Sequence, residues 1–503
     1  MKTRDNRILG RLQRAIEKRL DRSNFPDHDG PVMNTPNIHY EMADRTRAIE
    51  CGGIGAFHTL CENVSLPSTI NRNVNVLKRH LPYHESDHVL NISYNTLTGG
   101  KCLEDIENHR NNEAYLNALG ALRVPDPTTA GDFTRRFSRS DVCDLMESLN
   151  QTRALVWRRT IPKRDRELAI VDIDGVVAET TGECKQGMDI AYNAIWGYHP
   201  LIISLDNTGE PIYLVNRSGN RPSHDGAVPW IDKAVELTSR IFKYTMLRGD
   251  TDFSLTEHFD RWTDSGLLFA FGYDAMPNLK TIAGKLSAER WDKLERRQKH
   301  APEGPSRSRP ENVKQKIVQE RGFENLVLEE EHVAEFPYSP TKCDRTYRMI
   351  VLRKTIEVRE GQKHLFNEER YLFYVTNIED ISPEEVVFLN NDRCNQENLI
   401  GELANGLNAM RMPAGDLNSN WAYMVMAALA WTLKAWFALH VWLREDRSEL
   451  LRMSFRKFVN KVIRVPCQIV RSGRQVIYRI LGYTDWTRAF LSTFGRLRKM
   501  SYG

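Results

Sequence analysis

One segment limits the possible folds of this chain more than any other. Leu168-Ala-Ile-Val-Asp-Ile-Asp-Gly175 is a short apolar run that ends in two carboxylates and a glycine. A run of that length and texture suits a central β-strand. Asp172 and Asp174 are two apart, so on a strand both side chains point to one face. Taken alone, Asp174-Gly175 is most often a turn. On a buried strand, however, a carboxylate must find a cation or hydrogen-bond donors, because an unpaired buried charge costs several kcal/mol.

The sequence after this strand reads as a mixed α/β unit. Residues 200–205 and 211–215 are two strand-like runs joined by an Asn-Thr-Gly turn, which predicts a hairpin. A helix is expected near 228–241, a strand over 244–247 and ending in Arg248-Gly-Asp-Thr-Asp-Phe253, a helix near 254–263, and a strand over 267–271. An interruption follows. Residues 281–320 hold ten basic and six acidic residues, and 302–310 (PEGPSRSRP) reads as a flexible link. Two strand-like runs come next, 347–358 and 371–377. Ser382-Pro-Glu-Glu then signals a helix start, with an N-cap, proline at the first helical position and acids in the first turn; the helix is expected to run to about Leu403.

Upstream, residues 45–150 read as mostly helical. Asp126-Pro-Thr-Thr-Ala-Gly-Asp-Phe-Thr-Arg-Arg-Phe137 begins like a helix with Thr128 as the N-cap, which would carry Arg135, Arg136 and Arg139 along it as in a helix-turn-helix arm. The bland alternative is a solvated helical face.

Composition excludes several classes. In 503 residues, 70 Lys and Arg face 66 Asp and Glu, and 41% of residues are hydrophobic. The chain is therefore not a histone-like polycation, an acidic disordered chain or a polytopic membrane protein. Eight isolated cysteines without C-x-x-C argue for reduced thiols in the cytoplasm. The N-terminus lacks an apolar core of the kind that directs secretion. Only 421–443 resembles a membrane span, and Lys434 and His440 inside it favour a buried core helix. Charge is uneven along the chain: residues 1–22 carry a net +5 and 444–503 a net +10. Each reads as a solvated amphipathic helix or as a nucleic-acid contact.

The candidate chemistry lies in acids. Asp174 ends one strand, Asp250 follows a later one, and Glu397 sits four residues after Arg393 on a helix beyond the interruption. Singly, these are a turn, an N-cap and an exposed ion pair. In this order they suit two hard divalent cations, which prefer carboxylate oxygens and can drive phosphodiester chemistry without His, Cys or Ser. Neither G-x-x-x-x-G-K-[ST] nor G-x-S-x-G occurs, and zinc proteolysis is set aside together with ATP use and serine hydrolysis.

The stretches D-I-D-G (172–175), W-G-Y-H-P-L (196–201), N-T-G-E-P (207–211), N-R-S-G-N-R-P-S-H-D-G (216–226), R-G-D-T-D-F (248–253) and P-D-P-T-T-A-G-D-F-T-R-R-F (125–137) resemble bacterial insertion-sequence transposases of the DDE class, and among them the insertion-sequence 1380 group. The resemblance runs from about residue 45 to the basic tail. It implies an α/β fold: an RNase-H-like mixed-sheet catalytic core with a β-rich insertion, preceded by a helical N-terminal DNA-binding region. The corresponding divisions are 1–44, a basic extension; 45–155, the DNA-binding domain; 156–274, the first part of the core; 275–380, the insertion; 381–443, the last core helices; and 444–503, the basic C-terminal region.

By the same resemblance, Asp174, with Asp172 as a nearby alternative, Asp250 and Glu397 would hold two Mg2+ or Mn2+ ions. Glu397 and Arg393 match the family's Tyr-x2-Arg-x3-Glu-x6-Lys signature, while Asn390 and Ala404 replace its Tyr and Lys, and Val176 a frequent Thr. Arg393, Arg135, Arg136, Arg217 and Arg221 are the expected DNA contacts, with His224 beside the last two. The implied activity is metal-dependent cleavage and strand transfer at terminal inverted repeats, by a cytoplasmic, nucleoid-associated homodimer with no membrane partner. The alternatives are a same-fold nuclease without strand transfer and a non-catalytic DNA-binding relative.

Overall fold

A computed structural model of the chain describes residues 3–21, 47–80, 82–182, 184–296, 324–360, 363–472 and 475–500. The link expected at 302–310 lies outside the described residues. Chain contacts divide the molecule into two units. A sheet unit holds Glu167–Gly175 and Pro222–Glu397, and a helical unit holds Met1–Arg166, Val176–Arg221 and Asn398–Gly503.

The sheet unit starts with β1 (Leu168–Gly175). Then come α1 (Val228–Ser239), β2 (Tyr244–Gly249), α2 (Thr256–Asp264), β3 (Leu268–Tyr273), α3 (Pro277–Gly284) and a two-residue strand, β4 (Asp292–Lys293). A long antiparallel meander follows: β5 (Glu324–Tyr338), β6 (Tyr347–Glu360) and β7 (Lys363–Thr376). The unit closes with α4 (Pro383–Asn391) and the start of α5 (Cys394–Gly401). Within it the strand order is β4-β5-β6-β7-β3-β2-β1. β1, β2 and β3 run parallel, and β7 joins β3 antiparallel through Phe373 to Thr376. Parallel strands buried on both faces read as continuous apolar runs, which is why β1 to β3 were visible in the sequence.

Two clusters hold this sheet to its helices. Phe259 and Trp262 of α2 meet Phe269 and Phe271 of β3 and Tyr347 of β6 in a set of aromatic contacts with centroids 4.5 to 6.4 Å apart. Val386 and Val387 of α4 bury against Leu294, Val333, Ile350 and Leu352, with Tyr374, Ile381 and Phe388 packed around them. The second cluster seats α4 on the meander, and so fixes where the chain beyond Asn391 begins.

Two expectations need correction here. The helix from Ser382 is not continuous to Leu403: its cap is as expected, with Ser382 Oγ accepting from the Glu385 amide, but it ends at Asn391. A turn at Asp392 and Arg393 separates it from α5, and a wide turn over Glu402–Gly406 follows. The meander also has a strand more than expected, since Glu324–Tyr338 carries too many acids to read as a strand.

In the helical unit, Leu417–Leu439 is the central helix. It is long and apolar enough to cross a membrane, and it is buried inside the unit along its length. Helices Glu85–Leu97, Arg139–Thr160 and Arg444–Arg452 and the strand Glu210–Val215 pack around it. Lys434 is buried there, donating to the Leu451 carbonyl at 2.9 Å and lying 3.6 Å from the Trp431 ring centre; burial lowers its pKa to about 7. The expected hairpin forms from Leu201–Leu205 and Glu210–Val215, with Gly209 at φ +65° in the turn. Its Glu210 is fully buried and accepts from Arg153 Nε (3.0 Å), Trp157 Nε1 (2.7 Å) and Trp436 Nε1 (2.8 Å).

The helix expected near Thr128 is Pro127–Thr134, and its cap is Asp126, whose carboxylate accepts from the Thr129 amide. Proline at the first helical position makes the preceding residue the cap. That helix stops before Arg135, and a capping box of Ser138 and Asp141 starts the next one at Arg139. Arg135, Arg136 and Arg139 therefore do not share a helix.

Candidate functional site

The end of β1 and the end of β2 lie side by side because the strands are parallel and in register, Asp172 opposite Arg248 and Ile173 opposite Gly249. At the first of these rungs a buried ion pair forms. Arg248 donates through Nε and Nη2 to the two oxygens of Asp172 at 2.5 and 2.8 Å, and both side chains are 1% exposed. A third donor of Arg248, Nη1, holds the Leu389 carbonyl of α4 at 2.8 Å. Asp172, kept in the sequence reading as an alternative to Asp174, is thus consumed by structure.

One step further along stand Asp174, the last residue but one of β1, and Asp250, the first residue beyond β2. Asp174 Oδ1 accepts from the Gly175 amide at 2.8 Å. Asp250 is an N-cap, as its alternative reading held, but of the single turn Thr251–Phe253, with Oδ1 accepting from the Asp252 amide at 3.0 Å. The break between α4 and α5 delivers Arg393 to both. Its Nη1 is 2.9 Å from Asp174 Oδ2 and 4.0 Å from Asp250 Oδ2, while its Nη2 is 3.9 Å from Glu397 Oε1. Exposure grades across the three acids, from 13% for Asp174 to 35% for Asp250 and 64% for Glu397.

Burial dominates the electrostatics. It pushes the Asp174 carboxyl up to about 6, helped by Asp250 and Glu397 and opposed by Arg393. Asp250 is also raised, again by burial first, with Arg393 opposing and Asp252 assisting. One shared guanidinium is too little for three acids, and two of them hold their protons more tightly than a free carboxyl does. Hard carboxylate oxygens with charge left unmatched are the donor set that divalent ions such as Mg2+ or Mn2+ prefer. The chemistry of these donors suits such ions, although their oxygens do not all lie within 4.8 Å of one another.

With that geometry in hand, family comparison gives the identity. The sequence profile of the transposase DDE domain, group 1, matches residues 51–502. The chain belongs to the DDE transposase family. Members of this family generally use divalent metal ions. No curated protein matches the chain. Among solved structures, it is similar to the piggyBac transposase in a synaptic complex with hairpin DNA, at 10% identity and a TM-score of 0.36, over 90% of this chain and 88% of that one.

The remaining arginines named from the sequence belong to the helical unit. Arg135 and Arg136 are exposed, and Arg135 pairs with Asp132 one turn earlier. Arg217 is partly buried and structural in part: its Nε donates to the His199 carbonyl at 2.9 Å, and its own carbonyl accepts from the His199 amide. Arg221 is exposed. Between them Gly219 passes so close to the Gly197 and Asp189 carbonyls that a β-carbon there would collide with both. Of the signature departures, Asn390 is buried and donates to the Val386 carbonyl at 3.0 Å, an intrahelical use that serves packing.

Sequence reasoning missed two things. Arg248 carried a signal, a charged residue inside an apolar strand. The other is His84-Glu85-Ser86-Asp87-His88, which spells H-E-x-x-H and was passed over when zinc chemistry was set aside.

Proposed function

We propose that this DDE-family protein, of the insertion-sequence 1380 type, binds the terminal inverted repeats of its own element, cuts the DNA there and joins the freed end to target DNA. The observation that carries the reading is the convergence of Asp174, Asp250 and Glu397 on Arg393, with the Asp174 carboxyl held near 6. In this reading the three acids hold two Mg2+ or Mn2+ ions. When bound, these ions supply the positive charge that phosphodiester transfer requires at the scissile phosphate.

The chain's own residues do the rest. The Gly175 and Asp252 amides aim Asp174 and Asp250. Glu397, the most exposed of the three, completes the set from a helix. Arg393 offers a planar fork suited to a phosphate, and its long side chain can turn from the acids to DNA. In the first step a water oxygen attacks phosphorus and the bond to the 3′-oxygen breaks, leaving a 3′-hydroxyl. In the second that hydroxyl attacks a target phosphodiester, so one P–O bond replaces another and no nucleotide triphosphate is consumed. Arg135, Arg136, Arg217 and Arg221 would neutralise backbone phosphates, which makes binding steeply salt-dependent. Two copies would hold two DNA ends together.

The test is cleavage of linear DNA carrying this gene's flanking sequence, with and without Mg2+, beside the Asp250→Asn protein. Metal-dependent cuts at the element borders, absent in the variant, are the expected result. Cuts that survive Asp250→Asn would refute the triad, and binding without any cutting would refute the catalytic reading.

A further inference from the structure

The helical unit contains a group of side chains of metal-ligating type that no part of the DDE chemistry uses. Among the described residues, His80, His84 and Glu85 are the group of three whose ligand atoms all lie within 4.8 Å of one another. They sit where the loop after helix Leu66–Asn73 enters helix Glu85–Leu97. Glu85 is fully buried at the first helical position. Its Oε1 accepts from the Leu77 amide at 3.1 Å, whereas its Oε2 has no hydrogen-bond partner among the described residues. Instead Oε2 lies 3.2 Å from His80 Nδ1, at ion-pair distance but without a hydrogen bond between them. The His80 and His84 rings stack with centroids 5.2 Å apart, and both are exposed.

A buried carboxylate oxygen without a donor is costly, so something must satisfy it. Two imidazoles and a carboxylate are a set that zinc accepts. Two ligands about 2.05 Å from a tetrahedral zinc ion are roughly 3.3 Å apart, close to the spacing between His80 Nδ1 and Glu85 Oε2. The exposed histidines give the ion a path from solvent. We propose that His80, His84 and Glu85 form a zinc site that fastens this loop to the start of the Glu85–Leu97 helix.

The site is not the one its H-E-x-x-H string would suggest. That motif needs both histidines on one helical face, with the glutamate left as a base. Here His84 precedes the helix in extended conformation, and His88 is buried, stacked on Phe133 at 4.3 Å. His80 takes the place that His88 cannot fill, and Glu85 becomes a ligand.

The experiment uses the full chain, stripped of metal and then titrated with Zn2+ against a chromophoric chelator, and separately with Co2+ while visible absorption is recorded. The proteins are wild type, His80→Gln, His84→Gln and Asp250→Asn, the last to discount binding at the acidic triad. Wild type and Asp250→Asn should bind one Zn2+ tightly and give the Co2+ absorption of a four-coordinate histidine site. Each histidine variant should lose that spectrum, and lose more affinity than the roughly 10–100-fold that removal of an outer-shell partner costs. Because both histidines are exposed, the variants should keep the wild-type circular dichroism. The same Zn2+ affinity in both histidine variants as in wild type, or no tight Zn2+ binding by wild type, would overturn the proposal. DNA cleavage enters neither arm, so the outcome is independent of the proposed function.

Discussion

Asp172 and Asp174 are neighbours on one strand with opposite fates. Asp172 has a partner of its own in Arg248, bonded to both its oxygens, and is sealed from solvent. Asp174 shares Arg393 with two other acids, receives one bond from it and keeps its proton up to about pH 6. Glu210 of the helical unit resembles the first, with three donors around one buried carboxylate. A buried acid whose charge is fully answered holds a fold together. One whose charge is left partly unanswered is a place where a ligand gains the energy that the protein withheld.

The largest expected effect breaks this contrast from the catalytic side. Asp174→Asn should lower single-turnover cleavage by on the order of 10^3-fold or more, since ion-held charge at a phosphate is worth several kcal/mol. Its thermal midpoint should stay level or rise, because the substitution removes a poorly solvated charge. Asp172→Asn should do the reverse. It strands Arg248 in the interior, and denaturant titration should show about 3–5 kcal/mol lost. If Asp174→Asn were the more destabilising of the two, the contrast would fail.

The pH dependence sharpens the point. A carboxyl raised to about 6 must shed its proton before it can bind a cation, so Mn2+ affinity should fall roughly tenfold per unit below pH 6 and level off above it. In the metal-free protein the same raised value favours folding only at low pH. That contribution is complete below the unfolded value near 3.8 and is lost as the pH rises through about 6. Urea midpoints from pH 4 to 7, with and without Mn2+, would register both effects, and Asp174→Asn should flatten them. The smallest effect concerns the exposed arginines. Arg221→Ala should lower the slope of log affinity against log salt by about one and leave the cleavage rate on saturated DNA unchanged.

Part of the sheet unit was legible because its parallel strands are buried on both faces and because Ser382 caps α4 with its side chain. The Leu168–Gly175 strand and the Ser382 cap were visible for those reasons. The positions of the candidate acids were legible in part, since Asp174 and Asp250 stand at strand ends whereas Glu397 lies within α5. The break at Asp392 and Arg393 was not. No proline or glycine marks it, and the Ser382 cap signals where the helix starts without fixing where it ends. What interrupts the helix is tertiary, with α4 seated on the meander through Val386 and Val387. The strand Glu324–Tyr338 was obscured by its five glutamates, at 324, 329, 330, 331 and 335. Glu331 shows how one of them is accommodated, since Arg296 donates to it in a two-pronged contact and Lys354 lies 3.6 Å away. Partners so distant in sequence leave no local mark.

The pairing of Asp172 with Arg248 also works as an indexing key. Sliding β1 past β2 by a single residue would turn every side chain of β1 to the other face and leave two ions buried without counterparts. Neighbouring registers are therefore closed to these strands. Because Ile173 is level with Gly249, the residues that follow, Asp174 and Asp250, emerge level with each other. The alignment of the two acids is thus settled by a pair of residues that never meets a substrate, before Arg393 or any ion takes its place.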